Sequence, residues 1–520
     1  MDFHRLDLPE LAEGLAAGFY SAAEIAAALA GRIAALDAAG PRLNAVIAVN
    51  PAWPEEAAGL DRERAAGRVR GPLHGIPVLV KDNIDTAAPL ATTVGSRFLA
   101  GLPAAADAVV VARLRAAGAL VLGKANLSEW ANFRSTRSSS GWSAVGGQTR
   151  NPHALERSPG GSSSGSGAAV AAGFAPAALG TETDGSIVCP AAVNGVVGLK
   201  PTVGLVPRGG IAPIASSQDT AGPMARSVLA AALLLDAVAG PDPADPSTAA
   251  AAWRRRYGRH LAPDALRPDG AAVAAGGYAA AVRAAGQDYL RGKRIGVARR
   301  FAGYDGPTDA VFETALGSLR RLGAVLVDPA PVAVDKAAAE SGYALLKHEF
   351  RQEIAAYLAG RPGAAARDLA GLVAWNRSHA EEELAFFGQE IFEAALADEA
   401  WSPAARLAAL AKLRRRHQER GLGATFRKLR LDWLAFPSLG PPGKIDLTAG
   451  DRWVGGETTG PAVAGWPHLT LPMGLTRGCL PAGLSLVGRP GGERGLLAAA
   501  AAFERARGPF PEPGFGPGPA

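Results

Sequence analysis

The sequence predicts an α/β fold in which a largely parallel sheet is covered by helices. Three observations carry this reading. Between residues 75 and 122 a short apolar run, a helical stretch and a second apolar run follow one another, the order of a strand–helix–strand unit. The same order returns over 294–327. The composition, 48% hydrophobic and 20% charged, is that of a chain with a large core and not of a disordered one.

The elements follow in order. The first sixty residues read as helical: Ser21 and Glu24 have the S-x-x-E spacing of a capping box, Ile25, Leu29, Ile33 and Leu36 share one face, and Gly40 ends the run. Ile76 to Val80 reads as a buried strand with Lys81, Asp82 and Asn83 at its C-terminal end. Val110 to Ala117 is a helix and Ala119 to Leu122 a second strand. Residues 135–167 are dense in Ser and Gly, the composition of a flexible linker, yet structured segments flank them and an Ala-rich helix starts at Gly167. A further apolar helix spans Ser227 to Ala239. Residues 241–287, rich in Pro, Ala and Gly, read as a surface excursion. Arg294 to Ala298 resumes the sheet, Thr308 to Leu322 is helical, and Ala324 to Val327 is a strand. The stretch 337–430 reads as mainly helical. The arginine triplets beginning at Arg254 and Arg414 read as solvated helix faces. Leu434 to Pro437 and Leu469 to Pro472 are final strands, each stopped by its proline, and the last ten residues form a loose tail.

Composition excludes several function classes. Two cysteines, Cys189 and Cys479, make neither a disulfide framework nor a Cys-based zinc site. Eight histidines are scattered without an H-E-x-x-H pattern, so no metal site is expected. The net charge of +6 is a weak field over 520 residues and does not call for a nucleic-acid partner. No apolar run reaches the ~18 residues of a membrane span. Met1 to Asp7 lacks a basic region followed by an apolar one. The expectation is a cytoplasmic protein without a membrane partner.

The informative region is Ser158 to Thr202. No lysine follows its glycines at P-loop spacing. Gly161 to Gly165 fits G-x-S-x-G with Ser163 as nucleophile, but that elbow follows a strand, and here Glu156-Arg157-Ser158-Pro159-Gly160 precedes it. No serine of the chain has a lysine three residues on, as an S-x-x-K site requires. Serine hydrolysis with lysine instead of histidine as the base remains open.

At this point the chain resembles the amidase signature family of serine hydrolases. The resemblance lies in Gly160-Gly161-Ser162-Ser163, Gly180-Thr181, Asp184-Gly185-Ser186-Ile187 and Gly198-Leu199-Lys200-Pro201-Thr202. Gly75 to Asp82, Gly123 to Glu129 and Pro461 to Pro467 also match. It runs from about residue 20 to about 505. It implies a single domain, 1–520, with a large mixed twisted β-sheet covered by α-helices on both faces. Its parts would be an N-terminal helical segment (1–60), a catalytic core (65–235), a variable excursion (240–290), a helical substrate-pocket segment (335–430) and a loose tail (510–520). Carried over by position, Ser186 is the nucleophile, Ser162 a bridging serine held by a cis peptide, and Lys81 the base. The backbone of Thr183, Asp184, Gly185 and Ser186 forms the oxyanion hole. Asp184, Ser139 and Trp142 are expected substrate contacts. No metal or organic cofactor is implied.

The relay is physically coherent. Lysine is a base only when neutral, so burial must lower its pKa from ~10.4 by roughly two to three units. Asp82 should point away from the amine, because adjacent strand residues alternate faces. Cys189 reads as a core residue. Asp184 either binds substrate or faces a loop N–H. His468 is the histidine placed late enough to rival Lys81.

The T-E-T-D-G-S-I-V-C-P-A-A stretch, with Ser128 to Arg134 and Ser139 to Ser143, resembles the bacterial peptide amidase branch, which releases ammonia from C-terminal peptide amides. The amidotransferase subunit resembles it less, having Gly in place of Asp184 and Arg in place of Val188. The expected activity is hydrolysis of carboxamides through an acyl-enzyme, on peptide-amide-like substrates, with carbamates or anilides as the alternative. The expected protein is a monomer or homodimer.

Overall fold

Eleven strands form one sheet in the computed structural model of the chain, which describes residues 1–263, 277–333, 336–398 and 401–519. From edge to edge the order is Val46–Val49, Leu120–Ala125, Pro77–Lys81, Ala177–Glu182, Thr220–Ala225, Val197–Lys200, His468–Thr476, Leu480–Val487, Trp433–Pro437, Arg294–Val297 and Val325–Val327. The edge strand Val46–Val49 pairs antiparallel with Leu120–Ala125, while pairing is parallel within the strand–helix–strand units on either side. Across the centre it is antiparallel. The sheet is therefore mixed and not largely parallel. Its central strands return without the helical crossover that parallel neighbours need.

Val78, Leu79 and Val80 are all fully buried, as are Val121 and Leu122. Successive strand side chains point to opposite faces, so both faces of these strands are covered, and their continuous apolar runs follow from that. The capping box forms as its spacing predicts: Ser21 Oγ accepts from Glu24 N at 3.1 Å, and Glu24 Oε2 accepts from Ser21 N at 2.7 Å.

Leu469–Pro472 is not stopped by its proline. The strand continues to Thr476 through a register shift between Pro472 and Gly474, the kind of irregularity where a missing N–H is tolerated. The excursion is not all surface: helix Ala250–Tyr257 buries Trp253 and Tyr257, and helix Gly277–Ala284 buries Tyr278. Residues 264–276 of it lie outside the described residues. The arginine triplets are not wholly solvated either. Arg254, Arg255 and Arg415 are exposed, but Arg256 donates to Ser217 O at 2.8 Å, and burial together with nearby Arg256 lowers the Arg414 pKa to about 9. The tail is pinned, not loose: Phe515 N donates to Pro152 O at 3.1 Å and Gly518 N to Glu156 Oε1 at 3.0 Å.

The segment expected to be helical holds helices Lys336–Ala359, Leu369–Ser378, Glu390–Ala397, Pro403–Arg414 and Leu422–Leu429. Arg134 fastens it to the motif region. Fully buried, its guanidinium contacts Glu129, lies 3.7 Å from Glu383 Oε2 and sits 4.3 Å from the Phe387 ring centre.

Candidate active site

Lys81 is the last residue of strand Pro77–Lys81 and is fully buried. Its Nζ lies 2.7 Å from Ser162 Oγ, 2.9 Å from Thr181 Oγ1 and 3.3 Å from Thr181 O. Thr181 stands on the adjacent strand Ala177–Glu182, and Asn83 Nδ2 donates to the same threonine hydroxyl at 3.0 Å. Burial brings the Lys81 pKa down to about 7, while the carboxylates of Glu182 and Asp219 oppose the fall. Asp82 points away, 3.7 Å from Lys124 Nζ and accepting from Thr93 N at 3.1 Å.

Ser162 is fully buried and follows a cis Gly161–Ser162 peptide bond. A side chain on Gly161 would come within 2.4 Å of Ser128 Oγ, so glycine is needed there. Ser163, the alternative nucleophile, is also fully buried, and its hydroxyl donates to Thr181 O at 3.0 Å. It is a structural residue of the turn and not an exposed elbow.

Ser186 stands between strand Ala177–Glu182 and helix Val188–Asn194 and is 8% exposed. Its carbonyl accepts from Ser163 N at 3.1 Å, which lays the two serine loops side by side. Gly185 has φ +83°, and a Cβ there would meet Cys189 Sγ at 2.9 Å, so this turn admits only glycine without strain. Three side chains hold the turn. Glu182 Oε2 accepts from Ile187 N at 2.8 Å and Val188 N at 3.0 Å. Asp219 accepts from Thr183 Oγ1 at 2.6 Å. Asp184 accepts from Thr458 Oγ1 at 2.6 Å and Thr459 Oγ1 at 2.7 Å. The Asp184 carboxylate thus faces two hydroxyls and no loop N–H, and burial raises its pKa.

Two cavities meet at Ser186. The first, about 460 Å³, is bordered by Ser162, Thr181, Ser186, Asp219, Glu353 and Tyr357 among others. The second, about 470 Å³, is bordered by Gly161, Asp184, Ser186, Cys189, Tyr343 and Trp453 among others. Cys189 is therefore a wall residue and not core; burial, aided by Glu182 and Asp184, pushes its thiol pKa up. Ser139 and Trp142, expected to touch substrate, border neither cavity. Ser139 is buried with its hydroxyl 3.3 Å from Gln148 Oε1. Trp142 packs edge-on against Phe386 and Phe387. Their neighbour Ser140 borders the second cavity instead.

His468 is fully buried and borders neither cavity. Its Nε2 lies 2.6 Å from Ser485 Oγ, and burial lowers its pKa to about 3. Among the described residues no group of three or more His, Cys, Asp or Glu side chains could hold a metal ion. No helix among them is long and apolar enough to cross a membrane.

Fold and site together are those of a hydrolase family. The family model described as Amidase matches residues 26–497. The chain belongs to the amidase family and is an amide-hydrolysing enzyme. The native peptide amidase from Stenotrophomonas maltophilia superposes with a TM-score of 0.88 at 45% identity, covering 99% of each chain. A probable amidase of Arabidopsis thaliana is 37% identical over 91% of this chain and 85% of its own length. A glutamyl-tRNA(Gln) amidotransferase subunit from Symbiobacterium thermophilum is 37% identical over 94% of each.

Proposed function

We propose that this amidase cleaves the C–N bond of linear carboxamides, C-terminal peptide amides foremost, through an ester on Ser186. The observation that carries the reading is the 2.7 Å contact between the buried Lys81 Nζ and Ser162 Oγ, in a site that reaches two cavities through Ser186.

A neutral amine has two N–H groups and one lone pair. The Thr181 carbonyl and hydroxyl accept the two N–H groups, which leaves the lone pair for the Ser162 proton. Ser162 in turn takes the proton of Ser186 Oγ, which attacks the carbonyl carbon. The backbone N–H groups of Thr183, Asp184, Gly185 and Ser186 receive the oxyanion, each worth ~3 kcal/mol of transition-state stabilisation. Collapse breaks the C–N bond, and the leaving nitrogen takes a proton from Ser162, which Lys81 replenishes. Water then attacks the ester by the same relay, releasing the acid and restoring Ser186.

The likeness to peptide amidase supports the substrate class. The likeness to the amidotransferase component supports a rival in which the chain feeds ammonia to a partner. The test is the purified chain alone with an N-acylated dipeptide amide, an anilide, an ester and a carbamate, products identified by mass. Ammonia release from the peptide amide, with a serine-reactive phosphonate adduct on Ser186, is the expected result. No release without partners, or an adduct on another serine, overturns the reading.

A further inference from the structure

The first cavity carries two carboxylates, Glu353 and Asp219, that no cation among the described residues pairs with directly. Helix Lys336–Ala359 sets Glu353 on its wall together with Asp219. Glu353 Oε1 accepts from Ser216 N at 3.1 Å. Among the described residues no group donates to its other oxygen. Asp219 is occupied by neutral donors: the Thr183 hydroxyl at 2.6 Å, Ile214 N at 2.8 Å and Ala215 N at 2.9 Å.

The nearby cations are committed elsewhere. Arg208 forks onto Asp245 at 2.7 and 2.9 Å and donates to Ser216 O at 2.6 Å. Arg406 pairs with Glu349 at 2.5 Å. The Tyr357 hydroxyl donates to Asp85 at 2.9 Å. Arg208 borders the same cavity and its charge reaches both carboxylates, but its direct hydrogen bonds go to Asp245, Ser216 and Ser247, so Glu353 and Asp219 face the space beside Ser186 without an ion pair. Burial raises Asp219 to about 6 and Glu353 to about 7, and Asp219 adds to the rise at Glu353. A bound positive charge relieves both.

We infer that the acyl part of the substrate carries a cationic group, an ammonium or guanidinium, which Glu353 and Asp219 receive in the first cavity. This rests on the amidase reading above and narrows its substrate class to basic peptide amides.

The test compares kcat/KM for Nα-acetyl-lysinamide and Nα-acetyl-norleucinamide, near-isosteres that differ in the terminal ammonium, in wild type and Glu353→Gln. Glutamine keeps an acceptor for Ser216 N. At about pH 8, where a carboxyl group is ionised and a lysine protonated, wild type should favour the lysine amide by about tenfold or more, the scale of one hydrogen bond to a charged group. Glu353→Gln should collapse that ratio toward unity. As a check that needs no variant, protonated hexylamine should bind wild type by calorimetry about tenfold more tightly than hexanol. Equal turnover of the two amides by wild type, or a ratio unchanged in Glu353→Gln, overturns the inference. If neither amide is turned over while hexylamine still binds more tightly than hexanol, the cation site stands and the peptide-amide reading of the substrate falls.

Discussion

The Asp184 carboxylate accepts the hydroxyl of Thr458 across 2.6 Å. This bond joins the turn that carries Ser186 to the head of helix Thr459–Ala464. Asp184 and Thr458 are 274 residues apart in sequence, so the turn is held by the last third of the chain as well as by its own motif.

Asp184→Ala should therefore lower kcat/KM by about ten- to a hundredfold, since hydrogen bonds to a charged acceptor are worth about 1.5–3 kcal/mol each. Asp184→Asn, which keeps one acceptor oxygen, should lose less. Steady-state rates on a dipeptide amide, with urea unfolding alongside, separate a displaced turn from a destabilised fold. Wild-type kcat/KM in Asp184→Ala would show that the turn stands without this anchor.

His468→Gln should cost stability and not chemistry. The histidine is buried and neutral against Ser485. Losing its hydrogen bond should cost about 1–3 kcal/mol of unfolding free energy. The folded variant should keep its kcat within about tenfold, against the ~10⁴-fold loss expected of a triad base. A loss of that larger size in folded protein would make histidine the base.

Asp219→Asn should move the acidic limb of the pH–rate profile to lower pH. The Asp219 carboxylate favours the charged form of Lys81. Removing that negative charge makes the neutral amine easier to form, so the shift is downward, on the order of half a unit. Rates on a neutral amide across the limb measure it; an unmoved limb would mean that Asp219 does not act on Lys81, and an upward shift would contradict the sign of that action.

Much of this site was legible in the sequence alone. Strand Pro77–Lys81 is a bare apolar run, and the serines lie in one dense block. What local sequence could not show was the company they keep. Thr181 and Glu182 sit inside the Ser158–Thr202 block, and their place beside Lys81 and Ser186 was the available signal. Asp219, Glu353 and Thr458 reach the site only through tertiary packing. Strand Ala177–Glu182 is Ala- and Gly-rich, and strand Thr220–Ala225 holds Gly222 and Pro223, so neither shows the β-branched pattern of a strand. Trp142 and Ser139, expected at the substrate, lie back from both cavities. Here Arg134 and the Phe386–Phe387 pair draw the tryptophan inward.

Burying Lys81 should also mark the stability curve. Its folded pKa is about 7, against ~10.4 unfolded. Below about 7 both states hold the proton, so the full cost of the buried charge is present. The cost shrinks as pH rises and is gone above ~10.4, where both states are neutral. Lys81→Met should raise the melting temperature, most at about pH 6 and least near about pH 10. Calorimetry at three pH values checks it. A gain that does not depend on pH would contradict a depressed lysine pKa.

The most direct test of the serine–lysine relay is kcat/KM on a neutral peptide amide from about pH 5 to 10, in wild type and Lys81→Ala. The relay predicts an acidic limb with an apparent pKa of about 7. It also predicts a loss of at least ~10³-fold in Lys81→Ala at about pH 8, on the scale of losing the base that activates a serine. A wild-type optimum near about pH 5, where a lysine base is protonated, or a Lys81→Ala enzyme that keeps most of its activity, would contradict it.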